Sequence, residues 1–533
     1  MVGGISAQKK TTVGVNVGVI LEMDTWFGKM GWSCISVALS DFYSSHTHYR
    51  TRLSLHLRNS SNNVVSAAAA ALDLIKNVEV EAIIGPQTSM QANFVINLGD
   101  EAQVPIVSFS ATSPFLSSIQ SSYFIRTTLN DSSQVKALKA IVKAFGWREV
   151  VPIYVDNVYG QGFMPFLTDA LQEIDTRIPY RSVIHPLASD DEIVAELRKL
   201  MTMAGRVFVV HMFLSLGSRL FAKAKEVGMM TEGYAWIITD GVSNFLNSMD
   251  PSIIDSMQGV IGVTPHVPRT SRLENFTRRW KTESQKWNLT DCSLNNYGLW
   301  AYDTATALAM AVERVASTNS SFQKPNISGM STDLEAYGVS QMGKHLSEVL
   351  SRARFRGLSG DFHIANGQLQ YDAFEIINVI GVGKRRIGFW TPKNGLVREL
   401  LDENNIANNF PSRSNLKDII WPGDTSNVPR GWVVPTKGKA LRIGVPLKDG
   451  ESDFVRMTKD PKTNSTTFSG YSIEVFDATM AMLPYSVHYE YVPFAKPDGK
   501  TRALMTTYCV KLPWGILMLP LEILQSQQTD PYA

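Results

Sequence analysis

A chain of 533 residues has room for two to four domains with apolar cores of their own. Its 51 Lys and Arg against 49 Asp and Glu leave a formal charge of +2, which excludes a nucleic-acid binder built on a basic surface. Three cysteines exclude a disulfide scaffold, because at most one bridge can form, so the core has to come from apolar packing.

Residues 1–12, MVGGISAQKKTT, read as a stub without the apolar stretch of a signal peptide; taken literally they leave the chain in the cytosol. Residues 13–21 (VGVNVGVIL) read as a first central strand and 28–43 as the helix behind it. Residues 51–57 alternate like a strand, and 63–76 form an Ala-rich helix capped by Asn62 or Asn63. Two short apolar runs, 82–85 and 104–109, read as buried parallel strands. Each ends in a turn rich in Gly, Pro, Ser and Thr. Ligands of open α/β sheets bind at such turns. Here they carry Thr88, Ser89, Ser110 and Thr112, whose hydroxyls lie beside free helix-start N–H groups. That set suits a carboxylate, although Ser and Thr also simply cap helices.

A second run of alternating strands and helices follows: helix 132–145, strand 149–155, helix after Tyr159, strand 180–185, helix 190–203, strand 206–211, helix 216–227 and strand 234–239. This predicts a second doubly wound lobe, with crossings near 126–130 and in the Pro-rich run 264–268. Residues 299–316 predict a long helix and 316–338 a surface loop. Strands are expected at 362–369, 373–382 and 388–390. Residues 402–430, rich in Asn, Ser and Pro, read as a linker. A further unit opens with ALRIGVPL from residue 440, followed by a helical run at 468–484 and a strand at 487–492. N-x-Ser/Thr sequons begin at Asn59, Asn130, Asn275, Asn288, Asn319, Asn326 and Asn464, which fits a secreted surface.

Several phrases together resemble a known family. GPQTS followed by PIVSFSATSP is similar to the ligand cleft of the periplasmic-binding-protein-like domain of glutamate receptor ectodomains. DFYSSHTHYRTRL, FGWREVVPIYVDNVYGQG, IPYRSVI, YGLWAYD and WPGDTSNVPRGW resemble plant glutamate receptor-like channels specifically, from residue 13 to residue 500. The resemblance implies an α/β, two-lobed, type I periplasmic-binding-protein-like clamshell over 13–401 and a linker over 402–436. Residues 437–502 would be the incomplete first segment of a type II amino-acid-binding clamshell. It implies the extracellular portion of a plasma-membrane, ligand-gated cation channel, in which clamshell closure on an amino acid opens a tetrameric pore. Partners would be a small ligand and other receptor subunits in a homo- or hetero-oligomer, with no cofactor, metal or nucleic acid. The reading from another class is a soluble amino-acid-binding, decoy or assembly module without channel activity.

By the same resemblance, Ser110 and Thr112 with Thr88 or Ser89 would hold an amino acid's carboxylate. Asp131 in LNDSS and Asp240 in ITDGV would face its ammonium, and Tyr159 in VYGQG would pack over it with a cation–π contribution. Each residue has a plainer role open to it. Asp131 would cap the helix at 132–145, Asp240 would hold the turn shared with Gly241, and Tyr159 would be cleft packing. Nothing points to catalysis: the sequence has no Walker loop, HExxH or GxSxG, and His46 and His48 are not spaced like helical zinc ligands. Cys34 sits in an apolar run as a buried or bridged thiol.

The pattern breaks over 503–533. The apolar run LMTTYCVKLPWGILMLPLEIL is interrupted by Lys511, Pro513, Pro520 and Glu522, which argues against a membrane span. Codons for residues 505–526 exist that, read in a neighbouring frame, give YDDLLCQVALGDFDAAVGDTTI, a phrase the family carries at this point of its clamshell. The expectation is an out-of-frame tail. The family then places an Arg on the ligand's α-carboxylate, and QSQQTDPYA contains none.

Overall fold

The computed structural model describes residues 12–287, 289, 292–315, 322–323, 338–370, 373–400, 415–433, 441–446, 455–459, 466–481 and 489–494. The stub before residue 12, the tail over 503–533, most of the loop at 316–338 and the sequons at Asn288, Asn319, Asn326 and Asn464 lie outside the described residues. The chain divides into two units, Met1–Trp432 and Val433–Ala533.

The first unit begins with β1 (Val13–Leu21), apolar on both faces and buried along its second half. It lies between two parallel neighbours, as a strand of that composition requires. Around it the chain lays down α1 (Trp26–Ser45), β2 (Thr51–Asn59), α2 (Val64–Asp73), β3 (Ala82–Ile84), α3 (Ser89–Ala102), β4 (Ile106–Ser108) and β5 (Phe124–Arg126). Local chemistry sets the helix starts: Thr25, Asn63 and Thr88 each accept backbone N–H groups of the first turn. α2 ends in a π-turn, Leu74–Val78, closed by Glu79 in the left-handed region.

After β5 the chain crosses to the second lobe. There it forms α4 (Ser132–Phe145), β6 (Val151–Val155), α5 (Val158–Gln172), β7 (Ser182–Ile184), α6 (Asp190–Met201), β8 (Val207–His211), α7 (Leu214–Glu226), β9 (Ala235–Ile238), α8 (Asp240–Ser243), α9 (Pro251–Ser256) and β10 (Ile261–Pro265). A second crossing returns it to the first lobe through α10 (Ser271–Gln285) and α11 (Asn296–Val315), which pack on α1. The short pair β11 (Phe322–Gln323) and β12 (Val339–Ser340), α12 (Gly343–Leu350), β13 (Arg354–Arg356), β14 (Asp361–Ala365) and β15 (Gln368–Leu369) follow. A third crossing then leads to β16 (Phe374–Ile380), β17 (Gly383–Thr391) and β18 (Gly395–Val397). The first sheet runs β13-β14-β15-β5-β4-β3-β1-β2 and the second β18-β17-β16-β10-β9-β8-β6-β7. Each lobe has a parallel centre with antiparallel strands added late in the chain.

Three details depart from expectation. Residues 362–369 are not one strand: Asn366 and Gly367, both at positive φ (51° and 71°), fold β14 back onto β15. The short strand expected at 388–390 is the end of nine-residue β17, whose Lys384, Arg385 and Arg386 hide its apolar alternation. Described residues 415–432, polar enough to read as linker, lie on the second lobe. Trp421 is buried against Phe145 and Trp147, and Trp147 Nε1 donates to Pro429 O at 2.8 Å.

The two lobes meet closely. Phe245 of the second lobe stacks on Tyr297 at 5.7 Å and meets Trp26 and Phe27 of the first lobe edge-on. Ser113 Oγ donates to Val158 O at 2.8 Å across the junction, and a Cβ on Gly162 would lie 2.4 Å from that Oγ. Only glycine permits this approach.

In the second unit, β19 (Leu441–Pro446) pairs in parallel with β22 (Tyr489–Phe494), and β20 (Arg456–Lys459) forms a hairpin with β21 (Thr466–Ser469). Between them, α13 (Tyr471–Ala481) buries Ile473 and Phe476, while Asp477 takes the hydroxyls of Tyr489 and Tyr491. Among the described residues of the whole chain, no helix is long and apolar enough to cross a membrane.

Candidate functional site at the junction of the lobes

The site is assembled by strand ends. β5 ends at Arg126, and the crossing that follows delivers Asp131 and, one helical turn into α4, Gln134. β6 opens into α5, where Asn157 caps the helix by accepting from Tyr159 N and Gly160 N and so fixes Tyr159. β8 ends at His211, and β9 runs into Asp240 at the start of α8. These carboxyl ends of parallel strands converge with Thr112 and Ser113, which follow β4.

Gln134 organises the cluster. Its Nε2 donates to Asp131 Oδ1 at 3.0 Å and to Asp240 Oδ1 at 2.7 Å, while its Oε1 accepts Asp240 N at 3.0 Å. Both carboxyls are almost fully buried, at 1% and 2% exposure. Burial, and for Asp131 the neighbouring Asp240 charge, raises both above the usual carboxylate range. Arg126, wholly buried, donates to the backbone carbonyls of Thr112 (3.4 Å) and Ser113 (2.9 Å); burial lowers it to about 10, against the pull of Asp131. His211 is held by Thr239 (Nδ1 to Oγ1, 3.0 Å) and sandwiched between Tyr159 and Phe163 at 4.2 and 4.1 Å. Burial depresses the imidazole to about 3, so it is neutral, with Nε2 facing Asp131 Oδ2 at 3.9 Å.

Four polar atoms of this cluster have no hydrogen-bond partner: Arg126 Nε, Asp131 Oδ2, the Tyr159 hydroxyl and His211 Nε2. Burial and then the two carboxylates push the Tyr159 phenol well above its ordinary range, so it remains a donor. Unpaired polar groups in a dry site cost free energy, and a ligand that pairs with them recovers it. Asp131 Oδ2 and His211 Nε2 are the acceptors of the set, a chemistry suited to a cation that carries hydrogen-bond donors. The neighbouring aromatic faces suit the same charge.

The seven residues proposed from sequence therefore separate. Thr112, Asp131, Tyr159 and Asp240 come together, Thr112 through its hydroxyl and backbone beside Asp131. The other three have backbone duties. Thr88 Oγ1 caps α3 at Gln91 N, Ser89 Oγ accepts Ser113 N at 3.1 Å, and Ser110 Oγ donates to Gln87 O at 2.7 Å. Asp131 does not cap α4: its side chain makes no capping bond, and Asn130 Oδ1 takes Ser132 N at 3.0 Å instead. Asn130 is thereby a poor glycan acceptor, since its amide also reaches Ser117 and Gln368. Gln134, His211 and Arg126 were not singled out from sequence; the nearest signal is a His closing the apolar run VFVVH at a strand end. Cys34 is a buried thiol, raised by burial, rather than one arm of a bridge. Among the described residues no His, Cys, Asp and Glu cluster could hold a metal ion.

Comparison with known proteins agrees with this architecture. The family described as receptor family ligand binding region matches residues 33–382. Glutamate receptor 2.1 of Arabidopsis thaliana is 51% identical over 500 residues, covering 94% of this chain and 55% of the relative. Glutamate receptor 2.3 of the same plant is 50% identical over 489 residues, covering 91% and 54%. The chain spans about half the length of the curated relatives it matches. Among solved structures, the leucine-binding protein LivK of Thermotoga maritima superposes with a TM-score of 0.56 at 20% identity, over 71% of this chain and 99% of that one. A substrate-binding protein from Desulfitobacterium hafniense in complex with Leu gives 0.54 at 16% identity, over 70% and 100%. Both likenesses concern the type I periplasmic-binding-protein fold. The chain belongs to the receptor ligand-binding-region family and, within it, to the plant glutamate receptor-like proteins.

Proposed function

We propose that this chain is the extracellular, ligand-sensing portion of a glutamate receptor-like, ligand-gated cation channel, and that its first unit closes on an amino acid. One observation carries the reading: the buried Asp131–Asp240 pair, bridged by Gln134 and edged by unpartnered polar atoms, sits where the lobes meet. An ammonium group supplies the missing positive charge and donors, with Asp131 Oδ2 as its acceptor and the Tyr159 ring beside it. Ser89 accepts Ser113 N and so keeps an O–H to donate, which suits the ligand's carboxylate; Thr88 serves as the cap of α3, and the Ser110 O–H is already spent. The amino-acid ligand named for one structural neighbour has the same chemistry.

In the intact protein, closure of the clamshells would pull on a pore in the plasma membrane, within an oligomer of receptor subunits. We also propose that residues 437–502 are an incomplete type II clamshell and that 503–533 are translated out of frame. Sequencing the transcript across the codons for 497–533 tests that point: the family phrase in a continuous frame supports it, and its absence refutes it. Calorimetric titration of the full chain with a panel of amino acids tests the sensing role. Saturable heat that disappears in Asp240→Asn supports it. Co-assembly with receptor subunits without such heat would favour an assembly module instead.

A further inference from the structure

A cavity of about 940 Å³ lies between α10 and α11 of the first lobe and β16 and β17 of the second. None of Asp131, Tyr159 or Asp240 lines it. Among the described residues its charged lining is one-sided: Arg269, Lys281, Lys384 and Arg386 against a single carboxylate, Glu375. That carboxylate is already engaged, by His266 Nδ1 at 2.9 Å and Arg386 at 3.3 Å. Arg269 and Lys281 have no ion-pair partner among the described residues. Lys384 Nζ donates to the carbonyl of Ser243, at 3.3 Å, and burial lowers its pKa against the pull of Glu375.

The uncharged wall has the same bias. Asn295, 7% exposed, uses its Oδ1 to accept Gly298 N at 3.2 Å, and its Nδ2 donor has no partner. Both lobes bound the cavity: Ser293 N donates to Ser248 Oγ at 2.9 Å, tying the start of α11 to the turn after α8. Surplus positive charge in a recess with low-dielectric walls concentrates anions, and multiply charged ones most.

We infer that this cavity is a second ligand site, taking a small, multiply charged oxyanion that bridges Arg269 and Lys281, before and on α10, to Lys384 on β17. An occupant there ties the first lobe to the second and biases their closure from a place separate from the acid cluster.

The test is calorimetric titration of the full chain with pyrophosphate, citrate and acetate at constant ionic strength. The expected result is saturable binding of pyrophosphate, citrate or both, with acetate silent and affinity falling steeply as NaCl rises. Binding of pyrophosphate alone assigns a phosphate-type ligand, and binding of citrate alone a carboxylate one. Arg269→Ala with Lys281→Ala should weaken the bound anion at least about tenfold, the loss of one charge-assisted contact. Asp240→Asn should leave it unchanged. Arg269 and Lys281 are exposed, so thermal melting of the double variant should match the parent and exclude misfolding. Silence with both multivalent anions, equal binding of acetate, or an unaffected double variant would overturn the inference.

Discussion

Two regions of the first unit carry the polar residues that a ligand-binding cleft needs, and they are built in opposite ways. The turns after β3 and β4 hold Thr88, Ser89 and Ser110, each committed to a neighbouring backbone group. The junction cluster holds two carboxyls, a phenol and an imidazole that are as deeply buried but incompletely paired. In the turns each of these hydroxyls has a backbone partner, and those bonds stabilise the lobe. The cluster leaves buried polar atoms without a partner, which costs the lobe stability. A polar residue at the right end of a parallel strand is therefore not enough to mark a ligand contact; buried polar atoms with no partner at all distinguish the two.

Gln134 holds the junction cluster together. Gln134→Leu removes the donor shared by Asp131 and Asp240 and orphans Asp240 N, and should cost about 2–5 kcal/mol in chemical denaturation at neutral pH. A loss below about 1 kcal/mol would mean the pair does not depend on this bridge.

Asp131→Asn sharpens the contrast because stability and binding should move apart. Amino-acid affinity should fall at least about tenfold in calorimetry, the worth of one charge-assisted bond. Above neutral pH the variant should melt no lower than the parent, since a costly buried charge has gone.

The pH profile follows with its sign fixed by the shifts. Asp131 and Asp240 are raised in the folded state, so the stability they confer is present at low pH and is lost as pH rises through those raised values. His211 is depressed to about 3, so its contribution is lost as pH falls from about 6.5 towards 3. The charged and titratable groups around them are Arg126, Tyr159 and Tyr297. Thermal melting should be depressed on both sides of a mildly acidic optimum, and Asp131→Asn should flatten the alkaline side by about 1.4 kcal/mol per pKa unit removed. An unchanged alkaline limb would contradict the buried pair. The smallest effect belongs to the turns: Thr88→Ala should cost about 1 kcal/mol through its cap, with amino-acid affinity changed less than about threefold.

Much of the scaffold was legible because it is local. Runs such as AII in β3, VPIYV in β6 and AWII in β9 are buried on both faces and can only be central strands. Asn63 marks the start of α2 by its own side chain. α10 is harder to see, because only Phe276, Trp280 and Ser284 are buried, one turn apart in a charged helix. At the site, Asp131 and Asp240 were visible as acids in the family phrases, but Gln134 was not. An amide one turn into a helix has no sequence signature; its role arises only because the crossing after β5 brings it 106 residues along the chain to Asp240. The same holds for Trp421, whose polar surroundings suggest linker until Trp147 and Phe145 are seen beneath it.

Amino-acid sensing by the junction cluster is tested by calorimetric titration of the full chain with amino acids, for the parent, Asp240→Asn and Thr88→Ala in parallel. The parent should bind saturably, Asp240→Asn should lose binding, and Thr88→Ala should keep near-parental affinity. Equal affinity in the parent and Asp240→Asn, or no amino-acid binding by a folded parent, would contradict such sensing.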